Sequence, residues 1–367
     1  MEEIESLPDL TETLRARVPL CGLRLQDLDL TGHEDELLGR TDVEGMVILG
    51  GQMTEALDAH LRSHGALVFP TDPHAPVNPY RSSLYQPHEL YEGLHDQGYE
   101  ATPDARAYHW ARDGELEDDA FVTLLRAIHD DSVTDALDEV LDGVPVVGVM
   151  GGHALARDTE RYAGAAHLGH DLVGAGLTVL TGGGPGAMEA ANLGAMAPGR
   201  EALEDALARL GAVPSFVPDI APWAEVALAV HDDLLRVPVA EARVRSIGIP
   251  TWFYGHEPPN VFCNGIAKYF SNAIREDGLL ARCTAGLVVL EGAAGTVQEI
   301  FQVATRLYYA DREAVLPVVV LVGEEHWTRR LPVWPALCAL AADRPMADRL
   351  HLVDTVEEAA HLVAAAG

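Results

Sequence analysis

The 367-residue chain is nearly free of lysine and poor in positive charge. Lys268 is its only lysine, and 25 basic residues stand against 57 acidic ones, which gives a formal charge of −32. Such a surface repels nucleic acid and anionic lipid, and no cluster of basic residues interrupts it. We therefore expect neither a nucleic-acid-binding protein nor a membrane-binding one.

Cysteines are few and widely spaced. Cys21, Cys263, Cys283 and Cys338 form no C-x-x-C pair, which predicts reduced, mostly buried thiols. The acidic start lacks the basic and apolar regions of a signal peptide, and no apolar run reaches the length of a membrane span. The expected location is the cytoplasm.

Apolar residues are plentiful, at 48% of the chain, and suffice for one large or two ordinary domains. After residue 141, short apolar runs alternate with helical segments. The runs are Val144–Met150, Leu177–Leu180, Ile247–Tyr254, Gly286–Leu290, Val315–Val322 and Leu350–Val353. Apolar strands separated by helices indicate a mostly parallel sheet with helices on both faces. Residues 141–367 are therefore predicted to form a doubly wound, Rossmann-like α/β domain. In its first clear helix, Asp158 is the expected N-cap.

Residues 1–140 are predicted to form a smaller α/β extension. Strands are expected at Gly45–Gly50 and Ala66–Pro70, with a helix near Thr54–Ser63 between them. The Pro- and Tyr-rich stretch Thr71–Gly93 is expected to be irregular, with tyrosines that pack on other elements. Residues 116–142 indicate amphipathic helix, with a buried stripe of Phe121, Leu124, Leu125 and Ile128. The extension, with Tyr80 and Arg81, is a candidate regulatory or oligomer-forming unit.

A glycine-rich loop follows the second predicted strand of the larger domain. It reads T-G-G-G-P-G-A-M-E-A-A-N from Thr181 to Asn192. Consecutive glycines let a backbone approach a ligand closely, and the helix starting near Gly186 offers N–H groups to an anion. A tight turn without a ligand is the alternative. The spacing is not G-x-G-x-x-G, so a dinucleotide site is not favoured.

A second small-residue loop, E-G-A-A-G-T-V-Q-E, runs from Glu291 to Glu299. Gly292 and Gly295 bracket a phosphate cradle, and the following helix is expected to start at Thr296 and to direct Glu299 away from the core. Thr296-x-x-Glu299 also fits a capping box, in which Glu299 would only bind a backbone N–H. Both interpretations stay open at this point.

Other polar residues carry weaker signals. Arg275 is predicted near the C-terminal end of a helix closed by Gly278, where the helix dipole alone would favour it. The loop Gly255–Asn260 has the composition of an ordinary polar turn. The histidines are candidates of low specificity: His153, His256, the pair His167 and His170, and His231 in His-Asp-Asp. None has a convincing ligand set, so no metal site is expected.

Taken together, the two glycine loops, about a hundred residues apart, resemble the LOG ("Lonely Guy") family of nucleoside 5′-monophosphate phosphoribohydrolases. The family pattern is P-G-G-x-G-T-x-x-E, preceded by an arginine-containing helix and a G-G-G-x-G-x-M loop. The resemblance covers roughly residues 144–325. It implies catalytic roles for Glu299 and Arg275 and a substrate contact for Glu257. It assigns the phosphate loop to Gly292, Ala293, Ala294, Gly295 and Thr296, and the sugar and base side to Gly182, Gly183, Gly184 and Met188.

The chain departs from the family pattern at three places. Glu291 replaces the motif's proline, Ala293 replaces its second glycine, and Arg275-Glu276 stands for an arginine-lysine pair. Members of the family often carry a lysine decarboxylase label. A pyridoxal enzyme needs a lysine, and Lys268, expected in mid-helix, has no recognisable cofactor motif.

The expected activity is hydrolysis of the N-glycosidic bond of a nucleoside monophosphate, such as AMP or a cytokinin riboside monophosphate. Glu299 would stabilise an oxocarbenium-like sugar and activate water, while Arg275 would bind phosphate or ribose and keep Glu299 ionised. Neither a cofactor nor a metal ion is required. The resemblance also implies a homodimer or a higher homo-oligomer. The alternative is a non-catalytic nucleotide sensor or carrier that uses the same pocket.

Overall fold

The computed structural model describes residues 3–114, 116, 119–237, 243–253, 257–311 and 315–366. Their contacts divide the chain into two compact units. One consists of Met1–Ser83 with Gly114–Ala136, and the other of Leu84–Asp113 with Leu137–Gly367. The domain boundary at residue 140 stays a prediction, but the segment Leu84–Asp113 groups with the C-terminal part of the chain.

The first unit contains a parallel four-stranded sheet in the order β1-β2-β3-β4. Its elements are β1 (Glu3–Ile4), α1 (Leu7–Arg15), β2 (Arg24–Gln26), α2 (Glu34–Leu38), β3 (Val47–Leu49), α3 (Glu55–Ser63) and β4 (Leu67–Phe69). The predicted β-α-β pattern is confirmed in β3, α3 and β4. Strands β1 and β2 were not predicted, because no continuous apolar run like those of β3 and β4 marks them.

The Tyr80-Arg81 pair lies inside this first unit. Both side chains are buried, the Tyr80 hydroxyl donates to Pro70 O at 2.9 Å, and Arg81 O accepts from Gln26 Nε2 at 2.8 Å. The pair therefore stabilises the unit's own interior and does not form a surface for a partner.

The second unit is built on a parallel seven-stranded sheet. Its elements, with α7 starting in the first unit, are α4 (Pro87–Leu90), α5 (Leu94–Gln97), α6 (Pro103–Arg112), α7 (Ala120–Leu141), β5 (Val146–Met150), α8 (Glu160–Gly174), β6 (Thr178–Thr181), α9 (Ala187–Met196), α10 (Arg200–Leu210), α11 (Ile220–Leu235), β7 (Ser246–Gly248), β8 (Gly265–Ile266), α12 (Asn272–Arg282), β9 (Gly286–Val289), α13 (Ala294–Tyr309), β10 (Val318–Val322), α14 (Val333–Ala341), β11 (Leu350–Val353) and α15 (Val356–Ala366). The strand order is β11-β10-β9-β5-β6-β7-β8. This is the predicted doubly wound α/β fold.

Every apolar run predicted as a strand overlaps one, and β5, β9 and β10 are buried along their whole length. The run beginning at Ile247 is shorter than expected. Strand β7 ends at Gly248 because Pro250, two residues on, has no N–H to donate to a neighbouring strand. Tyr254, the predicted end of this run, lies outside the described residues.

Two predicted helix details are wrong. Helix α8 is capped by Thr159, whose hydroxyl accepts from Tyr162 N at 3.2 Å, and not by Asp158. In α7, Phe121 and Leu124 are exposed, whereas Leu125 is buried as predicted. The buried stripe includes Val122, because the helix is rotated from the orientation that its largest apolar residues suggested.

Segment Leu84–Asp113 packs within the second unit through a buried charge. Asp104 Oδ1 accepts from Trp252 Nε1 at 2.9 Å and lies 2.5 Å from Lys268 Nζ. Lys268 follows β8 and is not in a helix, contrary to prediction. Burial lowers the pKa of its amino group, while Asp104 opposes that shift. The lysine therefore has a partner that explains it without any cofactor.

The cysteines are all free, with Cys263 and Cys283 buried and Cys21 and Cys338 exposed, so only half of them are buried as expected. No helix in the described ranges has both the length and the apolar character that a membrane crossing requires.

A buried ion pair joins helix α9 to the loop before α8. Arg157 Nε and Nη2 donate to the two carboxylate oxygens of Glu189 at 3.0 and 2.5 Å. The Tyr162 hydroxyl donates to the same carboxylate at 2.9 Å, and Arg157 also stacks 4.3 Å from the Trp223 ring. Every charge in this cluster has a partner, which is the condition for a buried pair to be tolerated.

Glu189→Gln should lower the free energy of unfolding by about 3–5 kcal/mol, because it leaves the Arg157 charge buried and uncompensated. The control is Asp171→Asn, which breaks the exposed Asp171–Arg200 pair and should cost less than about 1 kcal/mol. Urea unfolding of both variants measures this difference. Equal losses would contradict the account.

Candidate active site

The site lies where the strand order of the larger sheet reverses. Strands β5 and β9 are neighbours, and the chain continues from them toward opposite edges. In doubly wound sheets the loops after such strands separate and leave a crevice for a ligand. Here a backbone hydrogen bond connects the loop after β5 to the loop after β9: Gly152 N donates to Glu291 O at 3.1 Å.

A cavity of about 1020 Å³ opens at this crevice. It brings together most of the residues that the sequence singled out: Met188, Glu257, Arg275, Gly292, Ala293, Ala294, Gly295, Thr296 and Glu299. They come from loops and helices more than a hundred residues apart. Among the described residues, Gly182, Gly183 and Gly184 do not line it.

The absence of a side chain at Gly182 makes room for Arg275. A Cβ at Gly182 would overlap the guanidinium, whose Nη2 donates to Gly182 O at 3.3 Å and whose Nε donates to Ile249 O at 2.8 Å. Gly182 therefore leaves space for an arginine and accepts a hydrogen bond from it. The predicted position on the sugar side of the pocket is not observed, because Gly182 does not line the cavity. Met188 separates it from the cavity.

The start of α9 is less available to an anion than predicted. Ala187 N donates to Gly152 O at 3.1 Å, and Gly186 and Ala187 are both buried. The loop after β5 therefore covers this helix end.

The start of α13 is open to the cavity. The helix begins at Ala294, two residues earlier than predicted, and Ala293, Ala294 and Gly295 are exposed. Amides in the first turn of a helix have no acceptor within the helix, and no acceptor is found for those of Ala294, Gly295 and Thr296 elsewhere in the described ranges. A Cβ at Gly292 would overlap the Thr296 hydroxyl, so the loop needs glycine there. This helix end is suited to a phosphate.

This helix start excludes the capping box. The N-cap position is held by Ala293, without a side-chain hydrogen bond, and Thr296 lies inside the first turn. Glu299 therefore has no backbone N–H to cap. Its side chain, only 12% exposed, lies with Oε1 3.7 Å from Arg275 Nη1.

Arg275 lies in the first turn of α12, and the helix continues through Gly278 to Arg282. The prediction that it ends a helix is therefore wrong, because a glycine inside a packed helix is tolerated. A cation near a helix N-terminus gains nothing from the dipole. The position of Arg275 is explained instead by the Gly182 and Ile249 carbonyls and by Glu299.

Glu299 is a carboxylic acid with an unusual pKa. Burial, which is only partly opposed by Arg275 and is reinforced by the charge of Glu276, raises its pKa to about 7. From the sequence we expect Arg275 to keep Glu299 ionised. That expectation is wrong, because desolvation outweighs a guanidinium 3.7 Å away. Near neutral pH the group is therefore present in both protonation states.

The departure at Glu291 is compensated by two residues that sequence reasoning missed. Glu291 Oε2 lies 2.6 Å from Arg161 Nη1 and 3.7 Å from His326 Nδ1. His326 Nε2 is also 3.1 Å from Gly292 O. The added carboxylate is therefore neutralised beside the phosphate loop. Arg161 opens a helix behind a site loop, which was a usable signal, but nothing in the sequence pointed to His326.

The cavity lining also carries a second polar pair. His153 Nδ1 lies 3.3 Å from Glu257 Oε1. Gly255 and His256, which precede Glu257 in the loop Gly255–Asn260, lie outside the described residues.

No protein-family model matches this chain, and no curated protein matches its sequence.

Glu299→Gln should change how stability depends on pH. The pKa of Glu299 in the fold lies above the ordinary value of 4.5, so the wild type loses stability as pH rises from about 5 to 8, where the charged form is disfavoured in the fold. Gln has no such loss, so the variant should gain about 2–3 kcal/mol on the wild type across that range. Urea unfolding at both pH values measures the gain.

The matched control for this experiment is Glu325→Gln, at an exposed glutamate outside the cavity. Its curve should run parallel to that of the wild type. A parallel curve for Glu299→Gln as well would show that the fold does not disfavour the ionised form of Glu299.

Proposed function

We propose that this protein hydrolyses the N-glycosidic bond of a nucleoside 5′-monophosphate to give a free base and ribose 5-phosphate. One observation carries the proposal: a single cavity contains both the open N-terminus of α13 and the buried Glu299–Arg275 pair. The resemblance to the LOG family supports it, because the motifs assign the same residues to phosphate binding and catalysis.

The phosphate would bind at the start of α13. The amides of Ala294, Gly295 and Thr296 and the positive end of the helix dipole favour an anion there. A phosphate anchored at this end holds the attached ribose in a fixed position relative to Glu299, which lies further along the same helix. Fixing the reacting atoms in this way contributes to the rate.

Glu299 would act on the sugar. As the bond from C1′ to the base nitrogen breaks, its electron pair leaves with the base, which takes up a proton, and positive charge develops on the ribose. The ionised carboxylate stabilises that charge and accepts a proton from the water whose oxygen bonds to C1′. A pKa of about 7 suits a general base at neutral pH.

Arg275 would act through Glu299. Its guanidinium is held by the Gly182 and Ile249 carbonyls, and it maintains a fraction of Glu299 in the ionised form against the effect of burial. One face of the guanidinium also lines the cavity, where it can contact phosphate or ribose. We assign it both roles.

The size of the cavity fits a nucleotide. Its volume of about 1020 Å³ lies at the upper end of the range of small-molecule sites, about 300–1,000 Å³. A base, a ribose and a phosphate can be held together in such a volume. From the resemblance alone we also infer a homodimer or higher homo-oligomer, and from the charge and cysteine usage a cytoplasmic protein.

The experiment is to incubate purified protein with a panel of nucleoside monophosphates and with the matching nucleosides, and to separate released bases by chromatography. We expect release from at least one monophosphate and none from its nucleoside. Equal release from the nucleoside would contradict phosphate anchoring. Nucleotide binding by calorimetry without release would support the sensor or carrier.

Glu299→Gln should lower kcat by about 10²–10⁴-fold, because the amide can neither accept the proton nor balance the developing charge. Its circular dichroism spectrum and unfolding midpoint should show that it still folds. Glu325→Gln, outside the cavity, should keep full activity. Full turnover in Glu299→Gln would refute the assigned role.

A further inference from the structure

A second cluster of polar side chains lies between α4 and α11, both in the larger unit. His88 Nε2 is 2.6 Å from Asp232 Oδ1, and His231 Nδ1 is 3.4 Å from the same oxygen. Three ligand atoms, one from each residue, all lie within 4.8 Å of one another. None of these residues lines the cavity described above. We propose that His88, His231 and Asp232 bind a divalent transition-metal ion, Zn²⁺ in the first instance, in a structural role.

The ligand chemistry favours this class of ion. Two imidazoles and one carboxylate are a common set for Zn²⁺, whereas Mg²⁺ and Ca²⁺ prefer oxygen alone. Ligands bonded at about 2.1 Å to one ion are at most about 4.2 Å apart. All three atoms lie within 4.8 Å of one another, and the two distances to Asp232 Oδ1 are 2.6 and 3.4 Å, so shifts of less than about 1 Å bring them to one ion.

One histidine of the cluster is buried and the other is exposed to solvent. His231 is only 4% exposed within α11, and its ring lies edge-on to that of His88, with centroids 5.9 Å apart. His88 is 58% exposed. An ion can therefore enter from solvent, water can complete its coordination, and the His88 side chain has room to adjust.

Charge near the cluster also favours a cation. Within the described part of the chain, the Asp232 carboxylate is paired with the two imidazoles and with no arginine or lysine. The next carboxylate, Asp233, is different, because it pairs with Arg209 at 2.9 Å and with Arg236 at 2.6 Å. Of these two neighbouring carboxylates, Asp232 is thus the one without an arginine or lysine partner in the described part of the chain.

The position of the cluster assigns the ion a structural role. His88 and Asp232 are 144 residues apart in sequence, and an ion would connect segment Leu84–Asp113 to helix α11. An ion that binds only the folded chain stabilises it. Sequence spacing alone showed only the pair His231-Asp232, since the third ligand comes from a distant segment.

The test uses the full chain, stripped with a chelator and titrated with Zn²⁺. We expect calorimetry to give one equivalent of tight binding and the melting temperature to rise with Zn²⁺. His88→Ala and Asp232→Asn should each weaken binding at least tenfold and abolish the rise. Both positions are partly exposed, so these variants should fold.

The matched control is His95→Ala. His95 is 91% exposed on α5 and lies 3.6 Å from Glu225, on the same helix α11, so it tests for unspecific histidine binding. It should bind Zn²⁺ as the wild type does. Co²⁺ in place of Zn²⁺ should give a visible absorption band that His88→Ala lacks.

Three results would overturn the proposal. They are the absence of stoichiometric Zn²⁺ binding, unchanged binding in His88→Ala, and a loss in His95→Ala as large as that in His88→Ala. If the cluster is only an ion pair, His88→Ala will lower the melting temperature equally with and without Zn²⁺.

Discussion

The site depends on a carboxylate that the fold keeps from water without neutralising it. Within the described residues Glu299 accepts no hydrogen bond, and its one cationic partner, Arg275, is 3.7 Å away. Arg275 itself donates hydrogen bonds to two backbone carbonyls. Burial therefore dominates, and the pKa of Glu299 rises to about 7. The fold thus holds a carboxyl group whose ionised form is disfavoured by burial, at the position of the proposed general base.

Sheet topology explains why this carboxylate lies beside the open N-terminus of α13. Because β5 and β9 are neighbours whose connections run to opposite edges, the loops after them leave a crevice. Helix α13 starts in that crevice and supplies both the free amides and, further along, Glu299. In the proposed reaction, this one helix would set the distance between the phosphate and the reacting sugar.

The sequence was sufficient for the strands of the larger sheet other than β8 and for the loop before α13, because apolar runs and small residues beside glycine are local signals. Predictions that depended on packing were less successful. Gly278 looked like the end of a helix but lies inside α12, since neighbouring contacts outweigh one residue's propensity. Gly182 looked like a ligand contact, and its neighbour turned out to be Arg275.

Residues that act across long distances in sequence were invisible to local patterns. His326, which follows β10 in the chain, contacts Gly292 O, and Lys268 pairs with Asp104, 164 positions away. The balance of burial and charge at Glu299 could not be read either, because it depends on how much water the finished cavity excludes. The positive charge of Arg275, taken alone, suggested a lowered pKa for Glu299.

The most direct test of this account is an NMR titration of the Glu299 side-chain carboxyl carbon in ¹³C-glutamate-labelled protein, with the signal assigned by its loss in Glu299→Gln. We predict a midpoint at about pH 7, and a lower one in Glu276→Gln, where a neighbouring negative charge is removed. A midpoint near the ordinary value of 4.5 in the wild type would contradict the account.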